Sequence, residues 1–361
     1  MNRRLLIPVL VILSACICAR AQDPPATGEG RSGMRYSLSV IDDATFYGNR
    51  SEPVPAVLNQ VLLEPSFSVH YRDRLTFSSS AVGLAVAYSD NYAQLRVKET
   101  YADLSAGDFD FTLGRKMVRW GTGYAFTAAG VLDPPRIPTN PTDRLNVNEG
   151  RDMIKADWVH GPHAISLAWS TAALAPAQAN MRDTTAVRYN VLVRGFDTSL
   201  IAGNDRGGDA FGALTFTRVF GQAWEVHGEA AWREQAAVLL GAKRTTASGV
   251  TFIAEFYSPP NIPYYRDMGV SPLAGRRHYA FLNAGKARLR ELPGWKEWGM
   301  SGSVVANLDD KGYAAVFDAG RWFGNHFSAY VHLELPRGSN TSEYGSAPYA
   351  AATSVGVRFQ L

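Results

Sequence analysis

The strongest constraint on this chain is a recurring alternation of apolar and polar side chains with a period of two. It is clearest over 353–361, where Val355, Val357, Phe359 and Leu361 point one way and Ser354, Gly356, Arg358 and Gln360 the other. Such a period marks a strand with one apolar and one wet face. Over 222–233, Trp224, Val226, Gly228, Ala230 and Trp232 alternate with Glu225, His227, Glu229 and Arg233. Over 92–105, Leu95, Val97 and Tyr101 alternate with Gln94, Arg96, Lys98 and Thr100. Over 325–335, Phe327, Ala329, Val331, Leu333 and Leu335 alternate with His326, Ser328, His332 and Glu334. After the amino-terminal segment no run of 18 apolar residues appears, which leaves no transmembrane helix. An exposed apolar sheet edge templates aggregation in water, and unpaired amides are intolerable in hydrocarbon. A last strand ending on the apolar Leu361 is suited to pairing with the first.

The chain carries 16 Tyr, 17 Phe, 8 Trp and 33 Gly, a supply of strand and turn formers, and amphipathic helical patterns are nearly absent. The expected fold is all-β: a transmembrane up-and-down antiparallel β-barrel of about 18 strands, or 16 if one hairpin merges. The predicted strands are 34–46, 62–72, 74–88, 92–105, 108–118, 151–160, 163–173, 184–193, 196–203, 209–219, 222–233, 235–244, 248–258, 276–288, 297–308, 312–322, 325–335 and 350–361. Short turns at Arg72-Asp73, 105–107, 160–162, Arg194-Gly195, Phe220-Gly221, 245–247, 292–294 and Phe323-Gly324 interleave with mostly longer gaps. That is a barrel with a short-turn rim and a long-loop rim, and an even strand count puts both ends on the short-turn, periplasmic side. An Arg or Lys facing lipid at mid-bilayer costs about 2–4 kcal/mol, so the polar faces are assigned to the lumen. The lumen is expected to be charged and free of apolar packing. Trp224, Trp232, Trp298, Trp322 and Tyr313, near strand ends, suit the two membrane interfaces. A large soluble sandwich or solenoid would share the alternation but not the rim asymmetry.

The amino terminus reads as a secretory signal peptide over 1–21. It has a basic Asn2-Arg3-Arg4, an apolar Leu5 to Ile17, and a small-x-small Ala19-Arg20-Ala21. A rival cut at Leu13-Ser14-Ala15-Cys16 would leave a lipidated Cys16. Cys16 and Cys18 are the only cysteines, so the ordinary cut leaves no thiol chemistry. It also removes Arg3, Arg4 and Arg20, taking 36 bases to 33 against 33 acids, so the charge balance carries no sign of nucleic-acid binding. Residues 22–33 read as a flexible leader, and 34–361 as the barrel with a long loop at 119–150.

The most distinctive segment is Gly114-Arg115-Lys116-Met117-Val118-Arg119-Trp120-Gly121. It runs through Gly123-Tyr124-Ala125-Phe126 and Asp133-Pro134-Pro135-Arg136 to Asn140-Pro141-Thr142-Asp143-Arg144. A strand ending Gly-Arg-x-x-x-x-Trp-Gly before an Asn/Asp-Pro-rich loop resembles porin-like barrels of uncharacterised bacterial families. It is more distantly similar to alginate-export and phosphate-selective porins. The specific likeness spans roughly 92–160, and the final strand resembles the carboxy-terminal strand of outer-membrane barrels. The resemblance implies location in the bacterial outer membrane and often a channel, without a shared substrate. It also implies a loop that folds inward and narrows the lumen. Arg115, Lys116, Arg119, Arg136 and Arg144 would then form a cationic constriction favouring anions. The competing reading is an external lid whose arginines pair with Asp133, Asp143, Glu149 and Asp152 or with surface polysaccharide.

Lumen-lining candidates are Arg96, Lys98, Glu225, His227, Glu229, Lys286 and Arg288. Glu225, His227 and Glu229 share a face at a spacing conceivable for a metal, but a satisfied lumen network is the preferred reading, and no metal or cofactor is expected. His332 beside Glu334 reads as structural, and Gly203 to Asp209 as a turn rather than a Ca²⁺ loop. No Gly-x-Ser-x-Gly, His-Glu-x-x-His, Walker or Cys-x-x-Cys motif is present, and no enzyme is expected. The expected function is passive passage of small hydrophilic solutes, with anion preference as the finer expectation. The alternative is a closed barrel that anchors, exports or assembles a surface polysaccharide. Expected partners are membrane lipid and small solutes, with a homo-oligomer or a periplasmic partner left open.

Overall fold

The computed structural model describes residues 32–50, 55–72, 74–87, 92–142, 144–171, 183–205, 209–233, 235–259 and 278–361. The expected signal peptide, Cys16, most of the leader, Asp143 and 206–208 of the Gly203 to Asp209 turn lie outside the described residues. The strands are β1 (Gly33–Asn49), β2 (Val57–Tyr71), β3 (Leu75–Ala87), β4 (Tyr92–Ala106), β5 (Phe109–Lys116) and β6 (Arg151–His160). They continue as β7 (His163–Thr171), β8 (Thr184–Val193), β9 (Phe196–Asp205), β10 (Ala210–Phe220), β11 (Trp224–Arg233) and β12 (Gln235–Thr245). The last six are β13 (Thr251–Ser258), β14 (Tyr279–Lys286), β15 (Trp298–Asn307), β16 (Tyr313–Phe323), β17 (Phe327–Arg337) and β18 (Tyr349–Gln360).

These 18 strands form one antiparallel sheet, each paired with its sequence neighbours, and β1 pairs with β18. The closing register sets Val40 opposite Phe359 and Ala44 opposite Val355. It ends where the Leu361 amide donates to the Leu38 carbonyl at 3.0 Å. Closure leaves no ladder edge for lipid to desolvate, which is the condition for strands to span a bilayer. The 16-strand alternative is thereby excluded.

The two faces separate as the alternation requires. On β11, Trp224 (45%) and Trp232 (61%) are exposed outward, whereas His227 (0%) and Glu229 (2%) are buried inside. On β18, Val355 and Val357 are exposed outward and Ser354 is buried. The outer wall is thus a belt of exposed Leu, Val, Ile and aromatic side chains, which is stable only against hydrocarbon. The short-connection rim carries tight turns such as Arg194-Gly195, where both residues have positive φ (51° and 78°). That pattern fits a type I′ turn matched to strand twist.

Four expectations are corrected. A bulge on β4 sets Ser80 opposite Glu99 but Ala81 opposite Val97, leaving Lys98 as the extra residue and reversing the faces beyond it. Tyr101 therefore joins Asp103 beside Lys116, whose Nζ lies 4.4 Å from the Tyr101 ring, rather than the face of Leu95 and Val97. The expected tight turn at 292–294 is part of an 11-residue connection, 287–297, held by successive i to i+3 turns. Trp322 does not join the outer girdle; it crowds Gly299 and lines an internal cavity. The fourth correction concerns the lumen, which contains three apolar clusters, each placed by a part of the loop after β5.

Candidate functional site inside the barrel

The β5–β6 loop, 117–150, leaves the wall and lies within the lumen. Trp120, Ala129 and Leu132 pack on Ala168, Ala186, Ile201 and Phe211 of β7–β10. Ala125 packs on Phe281, Val305 and Ala314 of β14–β16, and the Phe126 ring stacks on Tyr257 at 4.9 Å. Leu145 and Val147 cover Ile41, Leu62 and Val82 of β1–β3. The loop therefore touches three sectors of the inner wall. The apolar residues on inward positions exist to receive it, since apolar burial is the main drive that can hold a loop off water.

Three carboxylates hold the loop backbone. Glu229 Oε1 accepts from the amides of Thr122 and Gly123 (2.9 Å) and from the Thr122 hydroxyl (3.2 Å). Its Oε2 accepts from the Thr127 hydroxyl (3.0 Å) and the amides of Ala128 (2.5 Å) and Ala129 (2.7 Å). Glu255 accepts from the amides of Tyr124, Ala125 (2.8 Å) and Phe126 (3.4 Å), and His227 Nε2 lies 3.0 Å from its Oε1. Within the loop, Asp133 accepts from the amides of Trp120 (2.6 Å) and Gly121. Burial pushes the Asp133 carboxyl up, against the opposing pull of the Trp120 amide and Arg136. An irregular loop in a closed lumen has no ladder to satisfy its amides, and these acids replace it. Gly121 and Gly123 are required by the close approach: a Cβ on the first would overlap the Thr127 hydroxyl, and on the second the Phe126 carbonyl.

The predicted constriction residues are brought to the loop's two ends and to its far limb, and four are matched by acids. Arg115 pairs with Asp152 at 2.9 Å and Glu149 at 3.3 Å, Lys116 with Asp103 at 2.6 Å, and Arg136 with Asp133 at 3.3 Å. Arg144 pairs with the fully buried Asp43. Arg119 is exposed and makes no ion pair among the described residues. Of the lumen candidates, Arg96 meets Glu149 at 3.3 Å and Lys98 meets Glu64 at 2.8 Å. Glu225 accepts from the Tyr124 hydroxyl at 2.8 Å, to which Lys243 also donates at 3.0 Å. Lys286 ends β14 and reaches Glu291, while Arg288 lies beyond the strand, 3.6 Å from Glu297 and over the Trp322 ring. These two therefore sit at the short-connection rim rather than on one strand face.

Below the loop, toward that rim, lies a cavity of about 350 Å³ between Thr142 and Arg144 and the inner wall of β13–β18. Its polar lining includes Arg144, Arg358, Asp318, Tyr330 and Asn283. Arg358 donates to the Arg144 carbonyl at 3.2 Å and makes no ion pair among the described residues. Asp318 is engaged by His332 at 2.8 Å, and the Tyr330 hydroxyl donates to Asp43 at 2.8 Å. Sequence reasoning placed Arg358 on a wet face but did not single it out. Glu255, Asp43 and Tyr330 were also missed, because their roles come from a loop a hundred or more residues away.

An 18-stranded closed barrel with its third long-rim connection folded inward can be compared with solved structures. The outer membrane protein OpdK of Pseudomonas aeruginosa superposes with a TM-score of 0.63, covering 91% of this chain and 98% of that one at 9% identity. OccK11 (OpdR) of the same species gives 0.58, with 91% and 96% covered at 10% identity. A Rhodopseudomonas blastica porin variant gives 0.53, with 91% and 100% covered at 9% identity. The chain has the porin fold. No protein-family model matches it, and no curated protein matches its sequence. The exposed apolar belt fits this porin-like barrel to the bacterial outer membrane, with the short-connection rim toward the periplasm.

Proposed function

We propose that this porin-like barrel is a passive outer-membrane channel for small hydrophilic solutes, with loop 117–150 setting its bore. The carrying observation is the loop itself, held inside the lumen by Glu229, Glu255 and its own apolar anchors rather than lying outside as a lid. Barrels of 16–18 strands leave an aqueous lumen unless it is filled, and an inward loop narrows it to the scale of small solutes. Steps of current from purified protein in planar bilayers are expected. Their absence would reject the channel and favour the closed barrel that serves a surface polymer.

The anion preference rests on a smaller set of residues than the five basic loop positions. Arg115, Lys116 and Arg136 are matched by carboxylates, which cancels most of their field at the bore. Arg358, beside Arg144 in the cavity, and the exposed Arg119 have no such partner among the described residues. Reversal potentials in a KCl gradient should show chloride favoured. R358Q should lower the chloride-to-potassium permeability ratio on the order of two-fold. A cation-selective parent, or an unchanged ratio in R358Q, would remove this reading.

A further inference from the structure

Three arginines stand on the outer wall at the periplasmic rim, among exposed apolar and aromatic side chains. Arg218 is on β10, whose inward set includes the buried Phe211 and Thr215, so Arg218 faces lipid. Arg244 on β12 and Arg321 on β16 are outward by the same parity, opposite the buried sets Ala237/Leu239 and Ala314/Val316. All three lie within two residues of a strand end on the short-connection rim. None makes an ion pair among the described residues.

Each guanidinium lies near aromatic rings. Arg218 is 4.3 Å from the Phe196 centroid and 4.6 Å from Phe220. Arg244 is 5.1 Å from Trp224, its cross-strand partner. Arg321 is 4.9 Å from Phe323 and 5.9 Å from Trp298, again a cross-strand partner. The aromatic face supports the cation without neutralising it, and it leaves the planar N–H fork free to turn toward the headgroups. At an interface, rather than the midplane, an outward arginine costs little, so the placement is tolerable. No carboxylate among the described residues pairs with any of the three forks, and the anion present at that depth is the phosphate of a phospholipid.

We propose that Arg218, Arg244 and Arg321, each on its aromatic platform, bind the phosphate headgroups of anionic phospholipid in the periplasmic leaflet. The fork matches phosphate bidentately, and a net negative lipid adds attraction that a zwitterionic one lacks. This site is independent of whether the lumen conducts.

Native mass spectrometry of the full chain, exposed to equal amounts of dioleoyl-phosphatidylglycerol and dioleoyl-phosphatidylcholine, tests it. The parent should retain phosphatidylglycerol over phosphatidylcholine by about three-fold or more, and the triple variant R218Q/R244Q/R321Q should bring that ratio near one. Each single variant should lose part of the preference, which keeps the test available if the triple variant does not insert. Equal retention of both lipids by the parent, or a preference unchanged in the variants, would overturn the proposal.

Discussion

Replacing Glu229 by alanine should release the loop from the β11 wall and raise single-channel conductance. The side chain is 2% exposed, and its two oxygens satisfy four loop amides and two hydroxyls. A buried donor left without an acceptor costs about 1–3 kcal/mol, so four orphaned amides destabilise the inward loop by about 4 kcal/mol at the low end. The apolar contacts of Trp120 and Leu132 and the three amides held by Glu255 oppose release, but Thr122, Gly123, Ala128 and Ala129 lose their wall-side acceptor. The loop should therefore loosen from β11 on both sides of the segment that Glu255 holds, and protease sites at Arg119 and Arg136 should become more accessible in the folded barrel. E229Q keeps one acceptor oxygen and should fall between the parent and E229A in both measurements. Parent-like conductance together with parent-like cleavage in E229A would show that apolar packing alone holds the loop.

The second large effect is expected at the seam where the first and last strands meet. Asp43 on β1 is fully buried and accepts from Arg144, from the Tyr330 hydroxyl at 2.8 Å and from the Thr45 hydroxyl at 3.0 Å. It thereby ties the far limb of the loop to β1 and β17, on either side of β18. Removing one partner of a buried pair leaves the other uncompensated, at a cost of about 3–5 kcal/mol. Arg144 has no second carboxylate among the described residues, and its Nε is already buried without a partner. Urea titration of the barrel in lipid vesicles should show D43A destabilised by about 3 kcal/mol or more. Adding R144M removes the orphaned charge, so the double variant should recover part of that loss. Strictly additive losses would show that the two residues do not act as a pair.

Much of the architecture could be read before any coordinates. Strand number, closure and the two faces of β11, β17 and β18 follow from alternation, because the pleat fixes side-chain direction residue by residue. The bulge at Lys98 could not be read so, since one extra residue reverses a face without changing composition, and Tyr101 moved with it. The long connection 287–297 was masked by a Leu-Pro-Gly that looks like a tight turn. The basic residues of the loop were visible, and so were Asp133, Glu149 and Asp152 as candidate partners; Asp103 and Asp43, which match Lys116 and Arg144 from the wall, were not.

The chain's order of residues alone determined that this is an all-β barrel with an apolar outside, a largely polar inside and one long loop after the fifth strand. Those properties are local, set by a two-residue period and by turn chemistry. Only the tertiary structure decided that the loop lies within the barrel, that Glu229 and Glu255 hold it, and that Arg358 meets no acid among the described residues while Arg115 does. An alternating pattern says which way a side chain points but not what it meets, and what it meets depends on strands and a loop brought together only when the sheet closes.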